Sequence, residues 1–137
     1  MDACRAIRYV RFNADMWNVD PEKIGILGFS AGGHLAAMVG THFMDSYVEA
    51  KDKIDEISCR PDLMVLAYPV RSFGEYTHEG SKYNLLGADL DCESLVYFSH
   101  EKNVTDSTPP TFIWHTADDE SVPVQNSILF SMALKEK

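Results

Sequence analysis

An apolar run, Ile24-Gly25-Ile26-Leu27, passes directly into Gly28-Phe29-Ser30-Ala31-Gly32, and from there into the small-residue stretch Gly33 to Val39. Few folds accommodate this order. The run reads as a buried strand and the stretch after it as a helix, so the residues between them turn the chain sharply from one into the other. A turn that tight admits only small neighbours, hence the glycines at two-residue spacing around the serine. It lifts the Ser30 hydroxyl above the sheet edge. It also leaves the Ala31 amide at a helix N-terminus, where an oxyanion can be stabilised. Ser30 is thus the candidate nucleophile and Ala31 the candidate oxyanion donor. The other reading of the same residues is a glycine-rich turn with an incidental serine.

The rest of the chain alternates in the same way. Ala3, Ile7, Val10 and Ala14 recur at helical steps with arginines between them, predicting an amphipathic helix over 2–16. Residues 18–23 form a polar link. Strands are expected at about 24–29, 62–68 and 111–116, each a continuous apolar run, with a helix over 31–42 after the first. Residues 43–61 are charged and are read as including a short exposed helix. Residues 70–108 are irregular and polar, an excursion with short helices at 81–86 and 92–98. Pro123 suits the first turn of a last helix, with Ile128, Leu129, Met132 and Ala133 on its apolar face. Strands alternating with helices predict an α/β fold with a parallel sheet. If the strands lie side by side in chain order, right-handed crossovers put every connecting helix on one face and leave the other bare.

Composition excludes several roles. The 137 residues suffice for one domain with a core. The formal charge is −9, from 12 basic and 21 acidic residues, and no basic stripe appears, so a nucleic-acid partner is not expected. No segment approaches ~18 consecutive apolar residues, so no membrane span is expected. Cys4, Cys59 and Cys92 are odd in number and widely spaced, which suits free thiols in a reducing compartment, the cytoplasm. Met1-Asp2-Ala3-Cys4-Arg5 is not a signal peptide; a leader upstream of it would lie outside this chain. His34, His42, His78, His100 and His115 have no metal-site spacing, and neither a metal nor a cofactor is implied.

A second constellation, Asp118-Asp119-Glu120-Ser121-Val122-Pro123, follows the third strand. An acid just past a strand's C-terminal end shares the sheet edge with Ser30, the edge where open α/β sheets place their sites. A carboxylate there could hold a catalytic histidine in one tautomer. Helix capping by an acidic loop explains the same residues equally well.

The segments Asp20 to Ala36 and Pro110 to Asp119, with Val122-Pro123, resemble the acetyl-esterase and acetyl-xylan-esterase-like branch of the α/β-hydrolase superfamily. The similarity covers essentially the whole chain. The resemblance implies a partial α/β-hydrolase fold, with 70–108 as a cap-like excursion. In that family the acid precedes a Val-Pro pair as D-x-x-V-P; Asp119 fits this spacing and Asp118 does not. It implies Ser30 and Asp119 as two members of a catalytic triad, with His34 a packing residue. The triad histidine follows one further strand in the family, and a glycine-rich oxyanion loop precedes the first helix here. Neither is found, so residues 1–137 read as a single incomplete domain with no triad histidine of its own.

The expected function is that of a serine carboxylic-ester hydrolase acting through an acyl-enzyme. Its substrates would be small acyl, acetyl-like esters, including those of sugars. The alternatives are a catalytically incompetent fragment or remnant of a hydrolase, and a peptidase of the same fold. The open sheet edges lead us to expect self-association.

Overall fold

A computed structural model describes residues 2–45, 52–88 and 91–137. The chain begins with helix α1 (Asp2–Phe12) and a single turn α2 (Ala14–Trp17). Strand β1 (Gly25–Phe29) leads into helix α3 (Ser30–His42), and strand β2 (Leu63–Ala67) follows. The excursion holds helices α4 (Glu79–Leu86) and α5 (Cys92–Tyr97) and a 3-10 turn, His100–Lys102. Strand β3 (Thr111–Trp114) and helix α6 (Gln125–Lys135) complete the order.

The three strands form one parallel sheet in the order β1-β2-β3. The α/β class and the three strands are as the sequence leads one to expect. Register is in step across the sheet: Leu27 pairs with Val65 and Val65 with Phe112, while Phe29 pairs with Ala67 and Ala67 with Trp114. Because side chains alternate between faces, these two rows share one face. Met64 and Leu66 point the other way and are fully buried.

The buried face carries α1, α3 and α6. One cluster joins Cys4 and Ile7 of α1 to Ile24, Val39 and Cys59; a second joins Ala36, Met64, Leu66 and Phe130. A third, Val70, Phe73 and Val122, lies where the excursion meets the loop after β3. The opposite face is bare among the described residues. Leu27, Phe29, Leu63, Phe112 and Trp114 are between 44% and 59% exposed on it. Chain-order strands with one-sided crossovers produce this asymmetry.

Polar clamps close the N-terminal end of the sheet. The Asp62 carboxylate accepts from the Ile24 amide at 2.9 Å and from the Arg11 guanidinium at 2.7 Å. Arg5 bridges Asp52 and Asp55, tying α1 to the segment after α3. Cys4 and Cys59 are buried and Cys92 is exposed. Among the described residues no helix is long and apolar enough to cross a membrane.

Three expectations are corrected. The first helix breaks at Asn13, and Asn18 ends the extra turn in the left-handed region at φ 52°. The short exposed helix expected within 43–61 falls partly outside the described residues; 52–57 form turns, in which Asp52 accepts the Ile54 and Asp55 amides. The last helix begins at Gln125, after Pro123, and buries Asn126, Ser127 and Phe130, while Ile128 and Met132 are 50% and 57% exposed. Phe130 and Leu134 pack with Met64 and Leu66 of the sheet, and the stripe begins one turn earlier with the polar Asn126, bonded to the segment after β2.

Candidate active site

Ser30 stands where β1 turns into α3, with φ at 49°. That is the left-handed region, which costs a non-glycine residue on the order of 1–3 kcal/mol and persists only where the surroundings hold it. Here the Val70 amide donates to the Ser30 carbonyl at 3.2 Å. Sterics demand the small neighbours unequally. A methyl at Gly28 would collide with the Gly32 carbonyl, and one at Gly33 would stand 2.6 Å from Pro69 Cβ. Gly32, the second glycine of the motif, faces open space. The close approach of α3 to the loop after β2 is therefore made by Gly33, which lies outside the five-residue pattern.

Ala31 is the second residue of α3. Its amide lies in the first turn, where N–H groups lack an intrahelical acceptor, at the positive end of a 13-residue helix. Beside it opens a cavity of about 480 Å³, walled by Ala31, His34 and Leu35 of α3, Leu85 of α4, Phe73 and Phe98. The wall is mostly apolar, and the excursion supplies about half of it.

Asp119 lies beyond the C-terminal end of β3, at the same sheet edge as Ser30. Their strands are separated by β2, two inter-strand spacings or roughly 10 Å. Asp119 Oδ1 accepts the amides of Ser121 at 2.9 Å and Val122 at 2.8 Å. The Val122 and Ser121 amides, with His115 adding a smaller pull, hold its carboxyl below the usual carboxylate range. Asp118 is exposed. The two neighbouring acids thus differ in kind: Asp119 is built into the loop with one oxygen committed, and its Oδ2 lies 3.4 Å from His115 Nε2.

Four of the five histidines lie away from Asp119, and His115 has further partners besides it. His115 donates from Nε2 to the Val122 carbonyl at 2.9 Å, which leaves Nδ1 to accept the Ser127 hydroxyl at 2.7 Å. His78 caps α4, its Nδ1 accepting the Ser81 amide at 3.1 Å. His34 donates to the Phe98 carbonyl at 3.2 Å and stacks on Phe73 with ring centroids 5.1 Å apart. Burial lowers its pKa to about 4. His100 is fully buried against it at 4.3 Å, and burial takes its pKa well below the ordinary value. His42 bonds Thr41 through Nδ1 at 2.7 Å.

Ser30, Ala31 and Asp119 are thus brought to one edge of the sheet. Three features near this edge escape sequence reasoning: the cavity wall, the buried Arg71 whose guanidinium lies 3.5 Å above the Phe130 ring, and the buried Asn126. Each depends on contacts between residues tens of positions apart, and no local pattern marks them.

The family model that matches the chain is BD-FAE, over residues 1–134. Endo-1,4-beta-xylanase B of Butyrivibrio fibrisolvens is 48% identical over 136 residues, which are 99% of this chain and 21% of that protein. The acetylxylan esterase of Xylanibacter ruminicola is 35% identical over 139 residues, 98% of this chain and 26% of that protein. A solved acetyl ester-xyloside bifunctional hydrolase from Caldicellulosiruptor lactoaceticus superposes with a TM-score of 0.93 at 55% identity, covering 98% of this chain and 50% of that one. The chain spans from about a fifth to about half the length of these three relatives.

Proposed function

Because the chain belongs to the BD-FAE family, we propose that it carries the nucleophile and the acid of a serine carboxylic-ester hydrolase acting on small acyl esters of sugars, acetylated xylan among them. The observation that carries this reading is the strained Ser30 at a strand-to-helix elbow, with the amide-held Asp119 at the same sheet edge. The names of the relatives, an acetylxylan esterase and an acetyl ester-xyloside hydrolase, support the substrate class.

The chemistry follows from the positions. Ser30 Oγ attacks the ester carbonyl while its proton passes to a histidine base. The Ala31 amide stabilises the tetrahedral oxyanion, the alcohol leaves with the proton, and water then releases the acid from the acyl-enzyme. The roughly 10 Å between the ends of β1 and β3 is the space an imidazole would bridge, hydrogen-bonded to Ser30 on one side and Asp119 on the other. His34, His42, His78 and His100 are engaged elsewhere, and His115, though 3.4 Å from Asp119, has its ring nitrogens bonded to Val122 and Ser127, so the reading assigns the base to a histidine outside these 137 residues. The excursion 70–108 acts as a cap, α4 closing the cavity beside Ala31 over the bound ester.

A fluorophosphonate probe tests the nucleophile. It should attach to Ser30 of the full-length protein, and attachment should vanish in Ser30→Ala. Labelling that survives the substitution would refute the assignment. The engaged histidines favour a second reading for the isolated chain, that it is catalytically incompetent. It should turn over 4-nitrophenyl acetate only at background rate. Ser30-dependent turnover by the 137 residues alone would show that one of His78, His100 and His115 serves as base.

A further inference from the structure

Among the described residues the Asn126 side chain ties the turn behind Ser30 by hydrogen bonds to the loop that holds Asp119, where Val122 also packs on Val70 and Phe73. It is fully buried in the first turn of α6. Its Oδ1 accepts two backbone amides, Arg71 and Ser72, both at 2.9 Å. Its Nδ2 donates to two backbone carbonyls, Tyr76 at 2.8 Å and Pro123 at 3.0 Å. Two donors facing one atom and two acceptors facing the other leave the amide a single orientation, with its hydrogen-bonding capacity filled.

From this side chain the bonds run outward to both candidate residues. Arg71 follows Val70, whose amide holds the carbonyl of the strained Ser30 at 3.2 Å. Pro123 follows Val122, whose amide holds Asp119 Oδ1 at 2.8 Å. Every link between Ser30 and Asp119 on this path is a hydrogen bond or a peptide neighbour. A left-handed serine keeps its conformation only if the segment behind it is held. A triad acid serves only at a set distance from the nucleophile.

We infer that Asn126 is a positioning residue that sets the spacing of Ser30 and Asp119 through these four hydrogen bonds. The inference rests on the esterase reading above and adds a residue to it. Asn126 touches neither substrate nor the reacting atoms, so its effect falls on the chemical step and leaves substrate binding alone.

The test uses the full-length protein and 4-nitrophenyl acetate, with kcat and KM scored separately and the thermal midpoint recorded. Asn126→Asp is isosteric. It keeps the oxygen that accepts from Arg71 and Ser72 and sets a second oxygen against the Tyr76 and Pro123 carbonyls, so it loosens the link toward Asp119, of which only the backbone bond from residue 126 to the Pro123 carbonyl at 3.0 Å remains. Asn126→Ala cuts both sides. Asn126→Asp should lower kcat roughly ten- to hundredfold, as for a displacement near 1 Å, with KM within about twofold of wild type and the protein folded at the assay temperature. Asn126→Ala should lower kcat further. A folded Asn126→Asp enzyme with unchanged kcat would overturn the inference. So would a loss confined to KM, or unfolding of both variants at the assay temperature, which would make Asn126 a residue of stability alone. Wild-type turnover that survives Ser30→Ala is a separate outcome: it sinks the esterase reading itself, and the role of Asn126 with it.

Discussion

Of two adjacent aspartates, the proposed triad acid is built into its loop and the other is solvated, and the geometry accounts for the D-x-x-V-P spacing. Asp119 Oδ1 reaches forward to the amides of residues two and three positions on. That turn commits one oxygen, leaves Oδ2 for an imidazole, and delivers Pro123 to the start of α6. Asp118 makes no such turn and is exposed. In the full-length enzyme Asp119→Asn should lower kcat by on the order of 10⁴, as the amide would present a donor where a histidine N–H needs an acceptor. Asp118→Asn should be much milder; steady-state kinetics on an acetyl ester would decide, and the reverse ranking would refute the choice. Ser30, Ala31 and Asp119 could be named as candidates from the sequence because each sits in a short pattern with a mechanical cause. Asn126 could not. An asparagine in the first turn of a helix looks like an ordinary polar residue, and its partners Arg71 and Ser72 lie more than 50 positions away.

The excursion is held as an element by its two ends. The Phe73 amide donates to Ser99 Oγ at 3.0 Å and the His100 amide to the Arg71 carbonyl at 3.2 Å, so the chain leaves and re-enters at one place. His34 of α3 sits against both ends, between Phe73, Phe98 and His100. Burial lowers its pKa from 6.5 to about 4, while the Phe98 carbonyl, which accepts its N–H, pulls the other way; the charges of Arg71 and His42 add to the lowering. Between these two values the unfolded chain binds the proton that the folded one refuses. Stability is therefore full above about pH 6.5 and falls as pH drops toward 4, by on the order of 3 kcal/mol for this group. His100 acts in the same direction. Thermal midpoints measured from pH 7 to 4 should fall less steeply in His34→Phe, which keeps a ring and loses the proton site. An identical slope would rule out His34 as the source. At this scale the sequence showed the strands and the excursion's two helices within a few residues. It misassigned the buried face of α6, since a hydrophobicity pattern favours Ile128 and Met132 over a stripe that starts with Asn126.

At the scale of the molecule the decisive fact is a sheet covered on one side only. Leu27 and Phe112 lie in one cross-strand row, Phe29 and Trp114 in the next, with Leu63 beside them, and helices cover only the opposite face among the described residues. Rings of Phe29, Tyr68 and Trp114 touch along this side at centroid spacings of 5.9 Å, so the exposed surface is a continuous apolar patch. The outer edges of β1 and β3 pair with no described strand, and parallel edges of this kind template further pairing. Fully burying a large apolar side chain is worth ~1.5–3 kcal/mol, so covering five half-exposed ones contributes several kcal/mol per copy toward drawing two copies together. The isolated 137-residue chain should accordingly run as dimers or higher oligomers in size-exclusion chromatography with light scattering, and should bind a hydrophobic dye. Placing charge on the face, as in Phe112→Lys with Leu27→Glu, should shift the distribution toward monomer without melting the helices, since both side chains point away from the packed core. A sharp wild-type monomer at 15.4 kDa with a cooperative thermal transition would count against this account. It would mean that the apolar rows are stable in water as they stand, and the argument from one-sided crossovers to self-association would fail.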